Sequence, residues 1–276
     1  MRLHDLHSHS LCSDGILRPQ ALVSRAKMQG VTVLALTDHD TVSGIGEARN
    51  AAAEEGIRLL PGIEFSCLWN GTGIHIVGLN IDPDHPAMVA AVEQQSNNRE
   101  IRAEKIAAKL AKLGMPGTLE GAKAKADGGV LGRPHFAKFL IEAGHVKSMD
   151  QAFKKYLGSG KPGDVKQIWP SIEEAVGWIV AAGGVAVVAH PDKYKMTRTK
   201  LGRLLEEFVA VGGQAMEVVS GRQAPDVTRD MRLLANKYGL YASCGSDFHV
   251  PDQPWQELGN FDGLPEDCRP VWDLWS

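Results

Sequence analysis

The stretch Val31-Thr32-Val33-Leu34-Ala35-Leu36-Thr37-Asp38-His39-Asp40 decides the fold class. Its first six residues are almost continuously apolar, the pattern of a strand buried on both faces in a parallel sheet. A polar Asp-His-Asp triplet follows at the C-terminal end, where barrels of alternating strands and helices collect their functional groups. Helical patterns flank the run. Residues 18–28 come before it and stop at Gly30, and residues 43–55 come after it and are closed by Gly56.

The same arrangement recurs in both directions. Toward the N-terminus, a strand over residues 2–6 runs into Asp5-Leu6-His7-Ser8-His9, and alternation along an extended chain puts His7 and His9 on one face. Ser13-Asp14-Gly15 follows as a turn. Toward the C-terminus, a short strand over residues 57–60 leads to Gly62-Ile63-Glu64-Phe65, and residues 185–189 lead to His190. The last run, residues 240–244, ends at Ser246-Asp247-Phe248-His249. His75 differs because it sits inside the apolar run 74–79, where a core histidine bonded to a carbonyl is the plain alternative. From residue 86 to 170 the alternation stops and the pattern is helical, with a long helix over 87–113 and shorter ones near 118–126, 134–143 and 150–157. It resumes at Ser171, whose spacing to Glu174 forms a capping box. About seven strand-helix units argue for an α/β fold, a distorted (β/α)7 barrel over residues 1–85 and 171–276 with a mainly helical insertion subdomain at 86–170 covering the active site.

Taken together, His7-Ser8-His9, Asp14, His39, Glu64, His75, His190, Asp247 and His249 resemble, in order, the ligand set of the PHP (polymerase and histidinol phosphatase) family of metalloenzymes. That resemblance implies up to three divalent ions. His7, His9 and Asp247 would hold one, Glu64 would bridge it to a second on His75 and His190, and Asp14, His39 and His249 would hold a third. Oxygen and imidazole donors without thiolate suit manganese, zinc or iron without choosing between them, and manganese is taken as the first expectation. Three divalent ions against Asp14, Glu64 and Asp247 leave about three positive charges, which favours an anionic phosphoester substrate. The nucleophile expected is a metal-bridging hydroxide held by Glu64 and Asp247, with His135 or a water as the leaving-group acid. Asp38 and Asp40 are candidates to orient a metal-bound histidine, or else to form turns.

Composition narrows the classes. The 276 residues are 43% hydrophobic and 23% charged, enough for one sizeable core plus an insertion. A formal charge of −3 gives no general attraction to polynucleotides. Cys12, Cys67, Cys244 and Cys268 are scattered, which argues against a disulfide framework or a thiolate metal site. The N-terminus has no basic-apolar leader and no apolar run nears the roughly 18 residues of a membrane span, so a cytoplasmic enzyme with no membrane and no obligate protein partner is expected.

On the long insertion helix, Arg99 and Arg102 share a sector with Val92, Ile106, Leu110 and Leu113. Arginines on a buried stripe need an anion, either an acidic side chain or a substrate phosphate or carboxylate. Gly132-Arg133-Pro134-His135 opens another helix and resembles the insertion motif of PHP phosphatases acting on nucleotides. Asp14, His39 and His249, with Arg99, Arg102, Arg133, Pro134 and His135, are therefore the expected substrate contacts. The resemblance implies a phosphatase that removes the 3′-phosphate of 3′,5′-nucleoside bisphosphates. A 5′-3′ exoribonuclease on short RNA, a histidinol-phosphate phosphatase and a non-catalytic PHP module are the alternatives. His4, His85, His145, Lys161, Lys166 and Arg222 read as surface or structural residues.

Overall fold

The computed structural model describes residues 3–165 and 168–275. Arg2, at the start of the expected first strand, and Lys166 lie outside them. In chain order the elements are β1 (His4–Asp5), α1 (Pro19–Met28), β2 (Val33–Leu36), α2 (Ile45–Glu55), β3 (Arg58–Trp69) and β4 (Thr72–Leu79). Then come α3 (Pro86–Ala111), α4 (Thr118–Ala126), α5 (Arg133–Glu142), α6 (Met149–Ala152), which runs into the π-helical turn Phe153–Leu157, and α7 (Ile172–Ala181). The chain ends with β5 (Val185–Val188), the 3-10 turn Pro191–Tyr194, α8 (Arg198–Ala210), β6 (Ala215–Ser220), α9 (Pro225–Tyr238), β7 (Tyr241–Gly245) and the 3-10 turn Val271–Leu274.

The seven strands lie side by side in sequence order. Residues that follow β1 and β7 close the ring, since Leu6 N donates to Cys244 O at 3.0 Å and Asp247 N to His7 O at 2.9 Å. Alternation sorts the side chains. Val33 and Ala35 join Leu6, Leu60, Val77 and Val187 in one cluster, while Leu34 and Leu36 pack with Leu22, Ala48 and Phe248 in another. Val271 enters the first cluster and Trp272 stacks on His4 at 3.9 Å, so the tryptophan-bearing tail packs on the barrel.

The alternation breaks at the helical insertion and at one earlier point. β3 does not end at residue 60; it continues to Trp69 and pairs antiparallel with β4, from Gly62 with Leu79 to Trp69 with Thr72. Asn70 and Gly71 form the turn, with φ of 45° and 73°, and Asn-Gly suits a two-residue hairpin because both central residues need positive φ. Glu64 therefore stands within a strand.

The helices α3 to α6 share a core of their own, including Ile106, Leu110, Phe136 and Leu140. Leu113, expected on the buried stripe of α3, lies beyond the helix and is half-exposed, whereas Gln95 is buried on it. Val130 N donates to Cys12 O at 2.9 Å, and a side chain on Gly129 would come within 2.4 Å of Leu11 O, so this loop rests directly on the backbone after β1. Among the described residues no helix is long and apolar enough to cross a membrane.

Barrel closure gives a stability test. A Cβ on Gly245 would lie 2.6 Å from the backbone N of His7, whereas one on Gly73 would meet nothing within 4 Å. Gly245→Ala is expected to cost about 1–3 kcal/mol or more, seen as a lower denaturant midpoint, and Gly73→Ala to be near neutral.

Candidate active site

Backbone pairing after β1 sets the first two histidines. Ser8 is fastened to β2 and its end: Ser8 Oγ donates to Ala35 O at 2.7 Å, and Thr37 N donates to Ser8 O at 2.9 Å. His7 and His9 point the other way, and their Nε2 atoms are 3.0 Å apart.

Glu64 lies at the centre. Oε2 is 3.3 Å from His7 Nε2, 3.2 Å from His9 Nε2 and 3.0 Å from His39 Nδ1. Oε1 is 2.9 Å from His75 Nδ1 and 3.0 Å from His190 Nε2. Asp247 Oδ1 closes one side, 3.5 and 3.4 Å from His7 and His9 Nε2. Asp14 closes the other, 3.2 Å from His249 Nε2 and 3.8 Å from His39 Nε2. All nine cluster residues singled out in the sequence thus come together. Burial opposes the charge on Glu64, but His39, His75 and His7 outweigh it and hold the carboxyl well below the usual range. Asp247 is also held well below that range, with burial opposed by Lys193 and His7. Burial brings the His75 imidazole down to about 4.

This donor set fits divalent cations. His9 Nδ1 and His190 Nδ1 are buried without a hydrogen-bond partner, and Asp14 Oδ1, His39 Nδ1 and Glu64 Oε2 are buried beside one another or beside another histidine without the geometry of a hydrogen bond. Potential ligand atoms lie within 4.8 Å of one another in four sets: His9, Asp14, His39 and His249; His7, His9 and Asp247; His7, Glu64 and His190; and His39, Glu64 and His75. Histidine and carboxylate without sulfur suit zinc, manganese or iron.

A cavity of about 350 Å³ opens beside His75 and is lined also by Arg102, Arg133, Trp169, Lys193 and Tyr194. Arg102 Nε donates to Val165 O at 2.8 Å, and the guanidinium lies 4.9 Å from the Trp169 ring centre. Burial chiefly, then Arg133 and Arg99, lowers the Arg102 pKa against the opposing effect of Asp40 and Asp164. Arg133 donates to Leu157 O at 3.0 Å and stands 3.9 Å from Asp164. Arg99 is placed differently, with Nε on Asp40 Oδ2 at 2.7 Å and further bonds to Ser66 Oγ and Leu131 O. Pro134 sits in the first turn of α5. His135 is buried there, and its Nδ1 accepts from Gly132 N at 3.0 Å.

A family model described as the PHP domain matches residues 5–214. The chain belongs to the PHP domain family. Over 97% of its length it is 46% identical to a 3′,5′-nucleoside bisphosphate phosphatase of Chromobacterium violaceum, spanning 94% of that protein. It is 48% identical to a 5′-3′ exoribonuclease of Haemophilus influenzae, over 98% of each chain. A solved structure of an amidohydrolase from Chromobacterium violaceum, 45% identical, superposes with a TM-score of 0.92 over 99% of this chain and 95% of that one.

Three residues of this chain that touch the cluster escaped the sequence reading. Glu217, buried on β6, reaches His7 Nδ1 at 2.5 Å and accepts from His190 N at 2.6 Å. A lone acid in the apolar run 215–219 was the available signal. Lys193 donates to Asp247 Oδ2, as does Gln256 Nε2 at 3.2 Å, and neither has a sequence signature. The histidine-orienting role considered for Asp38 and Asp40 is filled by Glu217. Asp38 instead accepts from Ser10 N and from the Ser10 and Ser13 hydroxyls at 2.6–2.7 Å, and Asp40 pairs with Arg99 and accepts from Ser66 N at 2.8 Å. A carboxylate behind a histidine fixes its tautomer and raises its basicity. Glu217→Gln is expected to leave the fold intact and to weaken divalent-ion binding about 10–100-fold, measured by metal titration of the apoprotein.

Proposed function

We propose that this PHP domain is a phosphatase that removes the 3′-phosphate from 3′,5′-nucleoside bisphosphates, leaving the 5′-monophosphate. The observation that carries the reading is the cavity joining His75, at the edge of the Glu64-centred cluster, to Arg102 and Arg133. One end can hold a phosphoester for hydrolysis, and the other offers guanidinium forks to a second phosphate. The name of the Chromobacterium violaceum relative supports the same substrate.

In this reading His7, His9 and Asp247 form one ligand set, Glu64 with His75 and His190, both within 3.0 Å of its Oε1, a second, and Asp14, His39 and His249 a third, for up to three ions, with manganese the first candidate and zinc or iron the others. Bound divalent ions supply Lewis acidity toward water and toward the phosphoryl oxygens. Glu64 and Asp247 bring negative charge to the place where the attacking oxygen is needed, and Glu217 keeps His7 Nε2 free to act as a donor atom. Arg102 and Arg133 orient the second phosphate, and the Trp169 ring shields the Arg102 guanidinium from water. Arg99 supports the pocket through Asp40. Residues 1–85 and 171–276 then serve as the catalytic barrel and 86–170 as the substrate-selecting insertion, in a cytoplasmic enzyme.

A second reading, a 5′-3′ exoribonuclease on short RNA, is favoured by the Haemophilus influenzae relative and uses the same two ends of the cavity on a phosphodiester. Phosphate or nucleotide release from bisphosphates, monophosphates, histidinol phosphate and short 5′-phosphorylated RNAs ranks these substrates. Chelation is expected to abolish hydrolysis and manganese to restore it, and full activity in metal-free protein would sink the reading. Arg102→Ala is expected to lower kcat/KM about ten- to a hundredfold for a 3′,5′-bisphosphate and much less for an aryl phosphate, the weight of a charge-assisted phosphate bond. Equal losses on both substrates with a lowered Tm would make Arg102 a structural residue.

A further inference from the structure

Neither the nine-residue cluster nor the arginine pair accounts for Lys193. It lies in the 3-10 turn after β5, three residues beyond His190. Its ammonium donates to Asp247 Oδ2, while Asp247 Oδ1 faces the His7 and His9 Nε2 atoms. Gln256 fixes that anchor by donating both to Asp247 O, at 2.9 Å, and to Oδ2. The Lys193 side chain is 40% exposed and lines the cavity that also holds His75, Arg102 and Arg133. An ammonium has three N–H donors, and Asp247 uses one. The rest are available to whatever spans the cavity.

We propose that Lys193 contacts the ester oxygen that leaves when the P–O bond breaks, and stabilises the charge that develops there. This rests on the phosphoesterase reading above. A substrate with one phosphate at the cluster and another at Arg102 and Arg133 has its scissile P–O bond between them, and Lys193 belongs to both regions, bonded to Asp247 of the cluster and lining the cavity of the two arginines. In the reaction the oxygen of water bonds to phosphorus and gives up a proton to solvent, the bond to the leaving alcohol breaks and its electron pair stays on the leaving oxygen, which solvent protonates. Lys193 keeps its charge throughout. Its N–H bond to the leaving oxygen strengthens as charge accumulates, so its contribution falls on the chemical step.

The test is the dependence of rate on leaving group. For wild type, Lys193→Met and Lys193→Arg, kcat/KM is measured on aryl phosphates of graded leaving-group pKa and on a nucleoside 3′,5′-bisphosphate, with bound metal assayed in each protein. Lys193→Met is expected to retain its metal, to lose about ten- to a hundredfold on the bisphosphate and very little on 4-nitrophenyl phosphate, and so to show a steeper leaving-group slope. Lys193→Arg is expected to recover part of the loss. Equal losses across the series, or depleted metal with an unchanged slope, would overturn the proposal and make Lys193 only the anchor of Asp247. If wild-type protein cleaves no member of the series, the phosphoesterase reading itself falls.

Discussion

The Glu64 carboxylate, with no exposure to solvent and five imidazoles within 3.3 Å, is the constraint on which the site depends. A buried carboxylate without compensation costs several kcal/mol. The chain therefore has to deliver positive or cation-binding groups from every side, and it does so from the segments after β1, β2 and β5 and from within β4. Asp247 and Asp14 add two more negative groups to the same small volume. Such a cluster makes no sense as a hydrophobic-core device, since apolar residues of equal volume would fill the space at lower cost. It makes sense as a set of ligands whose charge is balanced by cations.

Delivering those groups strains the backbone. Asp40, His190 and Asp247, which follow β2, β5 and β7, have φ of 54°, 29° and 55°, a region that costs a non-glycine residue on the order of 1–3 kcal/mol. Each strained residue makes a specific bond. Asp40 N donates to Glu64 O at 3.0 Å, His190 N to Glu217, and Asp247 N to His7 O. The turn of the chain at these points is what brings three different loops onto one carboxylate. The two clusters on either side of the β2 strand offset the strain, since nearly every apolar residue in them is fully buried.

Much of this was legible in the sequence because it depends on local order. The apolar run 31–36 is a strand wherever it is placed, and His39 follows it by one-dimensional necessity. Gly56 ends α2 in the left-handed conformation, and Ser171 with Glu174 caps α7, as their spacing implies. The β3–β4 hairpin was missed although Asn70-Gly71 announces it, because the expectation of strand-helix alternation overrode a local turn signal. Glu217 was missed for a different reason. A single acid in an apolar strand gains its meaning only from His7, 210 residues away in the chain. Lys193 and Gln256 depend on the tertiary course of loops, for which periodicity carries no information.

The two arginines of α3 show how far helical phase alone can reach. Both lie on the buried side, as the 100° spacing requires, yet their chemistry differs. Arg99 meets the carboxylate of Asp40, and Gln95, one turn earlier, donates to the same carboxylate at 2.6 Å and to Ser66 O at 2.9 Å. This joint satisfies Arg99 within the protein and ties α3 to the residue next to His39. Arg102, one turn further on, shares the Trp169 ring with Arg99, at 4.9 and 5.3 Å, and otherwise meets the Val165 carbonyl and the cavity. A three-residue step along one helix thus separates a structural ion pair from a group with donors to spare. The consequence is mechanical as well as chemical. Because Arg99 fixes α3 to the loop that carries His39, the position of the Arg102 guanidinium relative to Glu64 is set by a buried charged joint.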